Sequence, residues 1–436
     1  MGVSVSAQTL ISQSLGSLIQ QGNQKFEKQD YKGAIESYTQ ALSQDGKLAP
    51  AYINRGAAKL ALRDYAGAIA DFDEGVKLDP KSTSGFLGRG GANLAQNRYQ
   101  QAIADFNQVL KLDAKNTQAL MSLADAKAGL SDYQGALVDL DRAIALDPKL
   151  EGAFLRRGRV KTSLKDYPGA TADYDQALKL NPNNAEAFQA LGASKLAQKD
   201  KTGAVVNFEQ AAKLSPKDAQ AQLSLGHAWL SANQPDKAIT SFDNVIRLDP
   251  SNGQAFFFRG IAKSGSGKSS EAIADFDQAI RLGSASDWVY LYRGKEKASG
   301  LKDYVGAIAD FDQAIRLNPD SGQAYYHRAS AKTKIGDGRG ALADLFQAAP
   351  LFKKAGEDNL YSRAQVDIER LRPIGGGTLI RVVEQDPPAT PQNSSPPATG
   401  TTGNLQAPGS PGTQPPVNGV QPVPPKPDAL KGPQAQ

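Results

Sequence analysis

The sequence predicts an all-α solenoid of stacked helix-turn-helix units. Three observations carry that prediction: a 34-residue period, apolar residues three and four apart within each period, and turn and stop signals at fixed places in it. AYINRGAAKLALRDYAGAIADFDEGVKLDP (51–80), AFLRRGRVKTSLKDYPGATADYDQALKLNP (153–182) and AYYHRASAKTKIGDGRGALADLFQAAP (324–350) are one unit written three times. A small residue marks its phase at Gly22, Gly56, Gly90, Ala124, Gly158, Gly192, Gly226, Gly260, Gly294 and Ala329, and one 35-residue step late in the chain is the only break in spacing. Alanine follows twelve residues on, as at Ala34, Ala68, Ala102 and Ala136.

The elements follow in chain order. Residues 1–14 read as a lead into the first helix. MGVSVS has the outline of an N-myristoylation signal through Gly2 and Ser6, and VSAQ that of the end of a signal-peptide cleavage site, but no polybasic stretch follows the first and no charged and apolar segment precedes the second. Residues 15–352 hold ten units. In each, a first amphipathic helix ends at a corner such as Asp64-Tyr65, and a second ends at LDP or LNP, where proline stops it. Gly and Ala sit where the two helices cross, because only a small side chain lets the backbones approach. A unit of this kind cannot bury its apolar face alone, so neighbours must stack and the last needs a polar cap. Residues 353–374 continue the helical period through Leu360, Ala364, Ile368 and Leu371 with charges between, which predicts a capping helix. Residues 375–436 turn to Pro, Gly, Ser, Thr and Gln, the composition of a disordered tail with polyproline character; PVPPKP (422–427) reads as spacer, with docking to an aromatic groove as the alternative.

Tyr52, Gly56, Tyr65, Ala68, Phe72 and Pro80, with Gly75 in the second small place, give the chain a resemblance to the tetratricopeptide repeat (TPR) family, over ten repeats. That resemblance implies a right-handed solenoid whose concave groove is lined by the first helices, chiefly at the second, fifth, sixth, ninth, twelfth and thirteenth places. A chaperone-binding subclass uses two Asn and three cations there. Asn23 and Asn54 match the Asn places, but Ile19, Ser84 and Gly88 stand where the cations belong, so the pair reads as polar residues on an open face.

One string points elsewhere. AKSGSGKSS (262–270) satisfies a relaxed phosphate-loop pattern through Ala262, Gly267, Lys268 and Ser269. A working loop needs a strand before it and a helix N-terminus after it. Here Lys268 and Ser269 fall on the places of Asp64 and Tyr65, so the register predicts an inter-helix corner. The composition narrows the chemistry further. There is no cysteine and only two histidines, His227 and His327, and the formal charge of +5 is spread without a basic run. No nucleophile with its base, metal cluster or cofactor loop stands at a spacing that the repeat fails to explain. The reading is therefore no enzyme, no cofactor, no metal site, no nucleic-acid or small-molecule ligand and no transmembrane segment.

The groove places in repeats two to four carry small and aliphatic residues: Ile53, Ala57, Leu60, Leu87, Gly91 and Leu94. In repeats eight to ten they carry Phe257, Phe258, Trp288, Leu291, Tyr292, Tyr326 and His327 beside Gln254, Lys295, Gln323 and Lys334, a set suited to anchoring a partner or, alternatively, to packing between repeats. Phe256, Tyr290 and Tyr325, at the fourth place, read as packing residues. Arginine precedes the small residue in six repeats, and each shares its repeat with an aspartate: Arg55 and Asp71, Arg89 and Asp105, Arg157 and Asp173, Arg259 and Asp275, Arg293 and Asp310, Arg328 and Asp344. Repeats one, six and seven lack both, and repeat four has Leu123 with Asp139. A partly buried bridge explains the coincidence, and so does recent duplication; the row is not a phosphate-binding stripe. The expected function is a scaffold holding a peptide or helix of a protein partner in the groove. The alternative is a tethering subunit that docks by its convex face and uses the tail as a spacer. A cytoplasmic and a bacterial envelope location are equally consistent with the composition.

Overall fold

The computed structural model describes residues 2–372, with side chains from Leu15 onward; the tail expected at 375–436 and the last two residues of the expected capping segment lie outside the described residues. The chain divides into two units, the first ending at Pro182 and the second beginning at Asn183.

The first unit holds repeats one to five as helices α1 (Gly2–Glu27), α2 (Tyr31–Gln44), α3 (Ala49–Ala61), α4 (Tyr65–Leu78), α5 (Thr83–Ala95), α6 (Tyr99–Leu112), α7 (Thr117–Gly129), α8 (Tyr133–Leu146), α9 (Glu151–Ser163) and α10 (Tyr167–Leu180). The second holds repeats six to ten as α11 (Ala185–Ala197), α12 (Lys201–Leu214), α13 (Ala219–Ser231), α14 (Pro235–Leu248), α15 (Gly253–Gly265), α16 (Ser269–Arg281), α17 (Asp287–Ser299), α18 (Tyr304–Leu317), α19 (Gly322–Lys334) and α20 (Gly338–Ala355), followed by α21 (Asp358–Leu371). Within each unit every helix packs on the next, and successive first helices such as α15, α17 and α19 lie side by side. Among the described residues there is no strand, and no helix is long and apolar enough to cross a membrane.

The corners are built from local chemistry. The residue before each corner takes the left-handed conformation in all ten repeats: Gln29, Arg63, Asn97, Ser131, Lys165, Lys199, Asn233, Gly267, Lys302 and Gly336, with φ between 57° and 85°. In seven repeats the next residue is an Asp whose carboxylate accepts from the backbone N–H three residues on, as Asp64 does from Gly67 at 2.9 Å and Asp166 from Gly169 at 3.0 Å. The LDP endings act through an Asx turn, in which Asp79 accepts from the Lys81 N–H at 3.0 Å and Asp147 from the Lys149 N–H at 2.9 Å.

The helix crossing explains the small residue. A Cβ on Gly90 would stand 2.7 Å from a Phe106 ring carbon, and one on Gly260 2.6 Å from Phe276. In repeats four and ten the ring is replaced by Leu140 and Leu345, both buried, and there the small residue is Ala124 and Ala329. Ring and glycine are thus one packing unit; Leu and Ala are the other.

At the C-terminal end the boundaries differ from the sequence reading. Pro350 does not stop the second helix of repeat ten: α20 runs on to Ala355 and ends at Gly356 in a left-handed C-cap. Its last turn is held by burial, because Phe352 is enclosed with Ala348, Ala349, Ala364 and Ile368, the last two from α21. The capping helix therefore begins at Asp358, and the first few residues assigned to it belong to α20. At the other end, α1 is continuous from Gly2 through the lead segment.

Candidate functional site

AKSGSGKSS spans the end of α15, the Ser266-Gly267-Lys268 turn and the first residues of α16. A helix, not a strand, precedes it, and Gly267 is the left-handed corner residue at φ 73°. Lys268 is exposed, and its ammonium stands 3.7 Å from Asp236.

The arginine row is a clamp. In each of the six repeats one guanidinium edge grips the Asp of the same repeat, at 2.5–2.7 Å for the closest contact. The remaining nitrogen reaches a second aspartate on the preceding repeat: Arg89 to Asp73, Arg157 to Asp141, Arg259 to Asp243, Arg293 to Asp277 and Arg328 to Asp312, at 2.5–2.6 Å. Arg55 donates instead to Thr39. Lys59, Lys161, Lys263, Lys297 and Lys332, four residues after the Arg, complete the pairing at 2.7–3.0 Å. Each guanidinium also lies 5.2–5.5 Å from the fourth-place ring, Tyr52, Phe86, Phe154, Phe256, Tyr290 or Tyr325. In repeat three Asn93 stands for the Lys, and burial pushes the Asp105 carboxyl above its ordinary range despite Arg89 and Asn93. Repeat four, with Leu123 in the Arg place, keeps the Lys127–Asp139 pair alone. The second carboxylate was missed from sequence, although its signal is visible as the Asp-aromatic-Asp string at 71–73, 275–277 and 310–312.

On the groove side of the first unit the polar groups satisfy one another. Asn54 is buried and donates to Asn23 at 3.0 Å, and the Tyr38 hydroxyl donates to the same oxygen at 2.7 Å. These two asparagines, Asn54 buried and Asn23 half-buried, therefore pair with each other instead of forming an open polar face, because the sixth place of α3 packs directly against the ninth place of α1. Asp125 and Arg156 meet the same way at 2.9 Å. Ile53, Ala57 and Leu60 are enclosed with Phe72 and Ala92, so they are core.

In the second unit the expected groove set divides by burial. Leu291, 2% exposed, and Tyr292, 9% exposed, belong to the interior. Leu291 packs with Phe311, Ala324 and Ala331, and Tyr292 with Phe276 and Val289. Gln254, Phe257, Phe258, Trp288, Lys295, Gln323, Tyr326 and His327 are half-buried, and Lys334 is exposed. The rings touch in series. Phe258 lies 4.1 Å from His227 and 5.1 Å from Phe257, Phe257 5.9 Å from Tyr292, and Tyr292 6.4 Å from Trp288. A second series joins Phe311, His327, Tyr326 and Phe352 at about 6 Å steps. The Tyr326 hydroxyl donates to Asp367 of α21 at 2.9 Å, which ties this residue to the cap. Burial lowers the His227 imidazole to about 4, and its Nε2 is enclosed without a hydrogen-bond partner among the described residues. Among the described residues no His, Asp or Glu cluster has the arrangement of a metal site.

Comparison with known proteins agrees with this geometry. Two tetratricopeptide repeat profiles match, one at 19–83, 87–151 and 299–359 and the other at 195–256, and a third TPR repeat profile matches at 158–199. No curated protein matches at a significant level. Among solved structures, the chain is similar to YrrB, described as a TPR protein with an unusual peptide-binding site, at 21% identity over 41% of this chain and 91% of that one, with a TM-score of 0.38. Yeast Tom70 is 17% identical over 82% of this chain and 97% of its own, with a TM-score of 0.38. The C-terminal part of a TPR protein from Cytophaga hutchinsonii is 17% identical over 55% of this chain and 98% of its own, with a TM-score of 0.48. Period, corner, crossing and family profile agree: the chain belongs to the tetratricopeptide repeat family.

Proposed function

We propose that the protein is a non-enzymatic interaction scaffold, and that repeats eight to ten hold an extended or helical peptide of a protein partner. TPR folds are typical of protein-interaction modules, and the observation that carries the location is the half-buried ring series on α15, α17 and α19. Rings of this kind present apolar area to a partner at low entropic cost. Phe257, Phe258 and Trp288 offer apolar contact, Gln254 and Gln323 offer hydrogen bonds to a peptide backbone, and Lys295 and Lys334 supply positive charge. The corresponding places of repeat two are filled by the core residues Ile53, Ala57 and Leu60, and those of repeat three by the half-buried aliphatic Leu87 and Leu94, which offer no rings.

Trp288→Ala is the direct test. Partner proteins captured by the full chain are identified by mass spectrometry, and affinity for the tightest is measured for both proteins. Removal of a central anchor costs about 2 kcal/mol, a loss of roughly thirtyfold. Because Trp288 also packs beside Tyr290 and Leu291, thermal unfolding of the variant is measured in parallel. Unchanged binding by a folded Trp288→Ala protein places the site outside these repeats.

A further inference from the structure

The clamp has fixed places. Around Arg259 they are filled by Lys263 four residues on, Asp275 sixteen residues on, and Asp243 sixteen residues before it on the preceding repeat. One repeat earlier the same places hold Leu225, Trp229, Ser241 and Glu209. Arginine, lysine and the buried aspartate have all been replaced by uncharged residues, and only the outer carboxylate is kept. Glu209 is exposed and has no ion-pair or hydrogen-bond partner among the described residues.

Where this clamp is missing there is a cavity. Its volume is about 210 Å³, and its walls include Val205, Val206 and Glu209 of α12, Trp229 in the last turn of α13, and Ala232 and Gln234 at the corner that follows. Val205, Val206 and Glu209 lie within one turn of α12, so one stripe of that helix makes a wall. Val206 is 59% exposed, an open apolar edge, whereas Trp229 is 7% exposed and is held in place by Lys237, whose Nζ stands 4.2 Å from the ring centroid. The Trp229 indole N–H donates to no group among the described residues, yet it is not sealed from solvent. The cavity is thus an apolar slot with an unused donor in one wall and an unpaired anion at its edge. Its size suits one or two side chains and not a drug-sized molecule.

A ligand for such a slot brings compact apolar bulk, a carbonyl free to accept, and a cation. Proline-rich chain has the first two by its nature, because its rings are rigid and its backbone makes no internal hydrogen bonds. PVPPKP at 422–427 adds the third, with four prolines and Lys426. About fifty residues separate this segment from Arg372, where the described structure ends, and an extended chain of that length reaches roughly 150 Å. Covalent attachment also raises its local concentration, so that modest affinity is enough for occupancy. We propose that PVPPKP docks in the cavity between α12 and the end of α13 of its own chain: proline rings pack on Val205, Val206 and Trp229, a backbone carbonyl accepts from the Trp229 indole N–H, and Lys426 pairs with Glu209. The segment then supplies Glu209 with the cation that Arg259 supplies to Asp243 one repeat later. This surface is separate from the groove of first helices, so the proposal does not depend on the function proposed above.

The chain has two tryptophans, so the indole N–H signals of the full-length protein in nitrogen-15 NMR spectra report the site through Trp229 and a control through Trp288. Trp288→Phe assigns the two. Pro422→Ala, Pro424→Ala, Pro425→Ala and Pro427→Ala are then combined in one variant of the full chain, a change outside the repeats that leaves their packing alone. The Trp229 signal is expected to move in this variant and the Trp288 signal to stay. A synthetic peptide of residues 420–429, added to the variant, returns the Trp229 signal saturably toward its position in the parent. The same peptide with Lys426→Glu binds about fivefold more weakly, and Glu209→Lys in the protein restores its affinity. Spectra recorded at two protein concentrations about tenfold apart separate the chain's own segment from that of a second copy, because only the second depends on concentration. The proposal is overturned if parent and proline variant give the same Trp229 signal, which leaves PVPPKP a spacer, or if their difference disappears on dilution. It is overturned equally if both tryptophan signals move together, or if reversing the charge of Glu209 has no effect on either peptide.

Discussion

Repeats two to four and repeats eight to ten are built on one plan, but their groove sides are built from different residues. In the first set, Ile53, Ala57 and Leu60 are core, and the polar residues of the first unit, Asn23 with Asn54 and Asp125 with Arg156, consume one another. In the second, rings stand half-buried in series, and Lys295 lies 5.0 Å from the Tyr292 ring with no ion-pair partner among the described residues. The clamp is common to both sets, repeat four excepted: Arg89 and Arg328, one in each set, make the same three-helix contact. The clamp residues repeat and the groove residues vary, and under the function proposed above the first would carry stability and the second recognition.

The largest expected effect tests the constant part. Asp173 is 3% exposed and is gripped by both Arg157 and Lys161. Asp173→Ala leaves Lys161 without its carboxylate and Arg157 with only the exposed Asp141, and is expected to cost about 3 kcal/mol in urea denaturation. Arg157→Ala costs less, since Lys161 still holds the carboxylate, and the double variant falls short of the sum. Strict additivity of the two single effects shows that the clamp does not act as a unit.

Next is the crossing, which the sequence varies in a coupled way. Gly90→Ala drives a methyl group into Phe106 and is expected to cost about 1–3 kcal/mol. Phe106→Leu, made in the same protein, reproduces the Ala124 and Leu140 arrangement of repeat four and recovers a substantial part of that cost. If the double variant is less stable than either single one by the full sum, ring size and the small residue are not coupled.

These two features show what was legible in the sequence and what was not. The period, the corners and the small residue follow from interactions within one repeat, so each is visible at a fixed spacing, and Arg157 with Asp173 is visible for the same reason. The second clamp carboxylate, Asp141, belongs to the preceding repeat, so the Asp two residues after Asp139 is visible but nothing inside a single unit says what it pairs with. Burial of Leu291 and Tyr292 depends on how α17 sits against α16 and α18 to α19, which periodicity does not specify. Pro350 shows the same dependence: a proline that would end a helix in isolation is carried inside α20, where Phe352 has α21 to pack against.

Acid stability sharpens the contrast within the variable part. His227 is held to about 4, well below its ordinary value of 6.5, by burial against Phe242 and Phe258. A group whose folded pKa is depressed adds stability above its unfolded pKa and loses it as pH falls through the folded one. Stability is therefore expected to decline from pH 6.5 toward pH 4, by about 2 kcal/mol at pH 5 for this residue. His227→Phe should flatten that decline while leaving stability at pH 8 close to the parent's. An equally steep decline in the variant assigns the acid sensitivity to other groups.

The smallest expected effect separates the register reading of 262–270 from its resemblance to a phosphate loop. Lys268 holds a corner place, is exposed, and reaches only the exposed Asp236 at 3.7 Å. A surface pair of that kind contributes under about 0.5 kcal/mol. Lys268→Ala is therefore expected to leave stability and partner binding unchanged. Calorimetric titration of the parent with ATP and magnesium should show no saturable heat, because the helix α15 before the turn leaves no strand to present phosphates to the N-terminus of α16. Gly267 supplies the internal control. Its left-handed conformation is shared with nine other corners, eight of them non-glycine, so Gly267→Asn should retain the turn as Asn97 and Asn233 do. Micromolar nucleotide binding that disappears in Lys268→Ala would show that the corner does more than turn the chain.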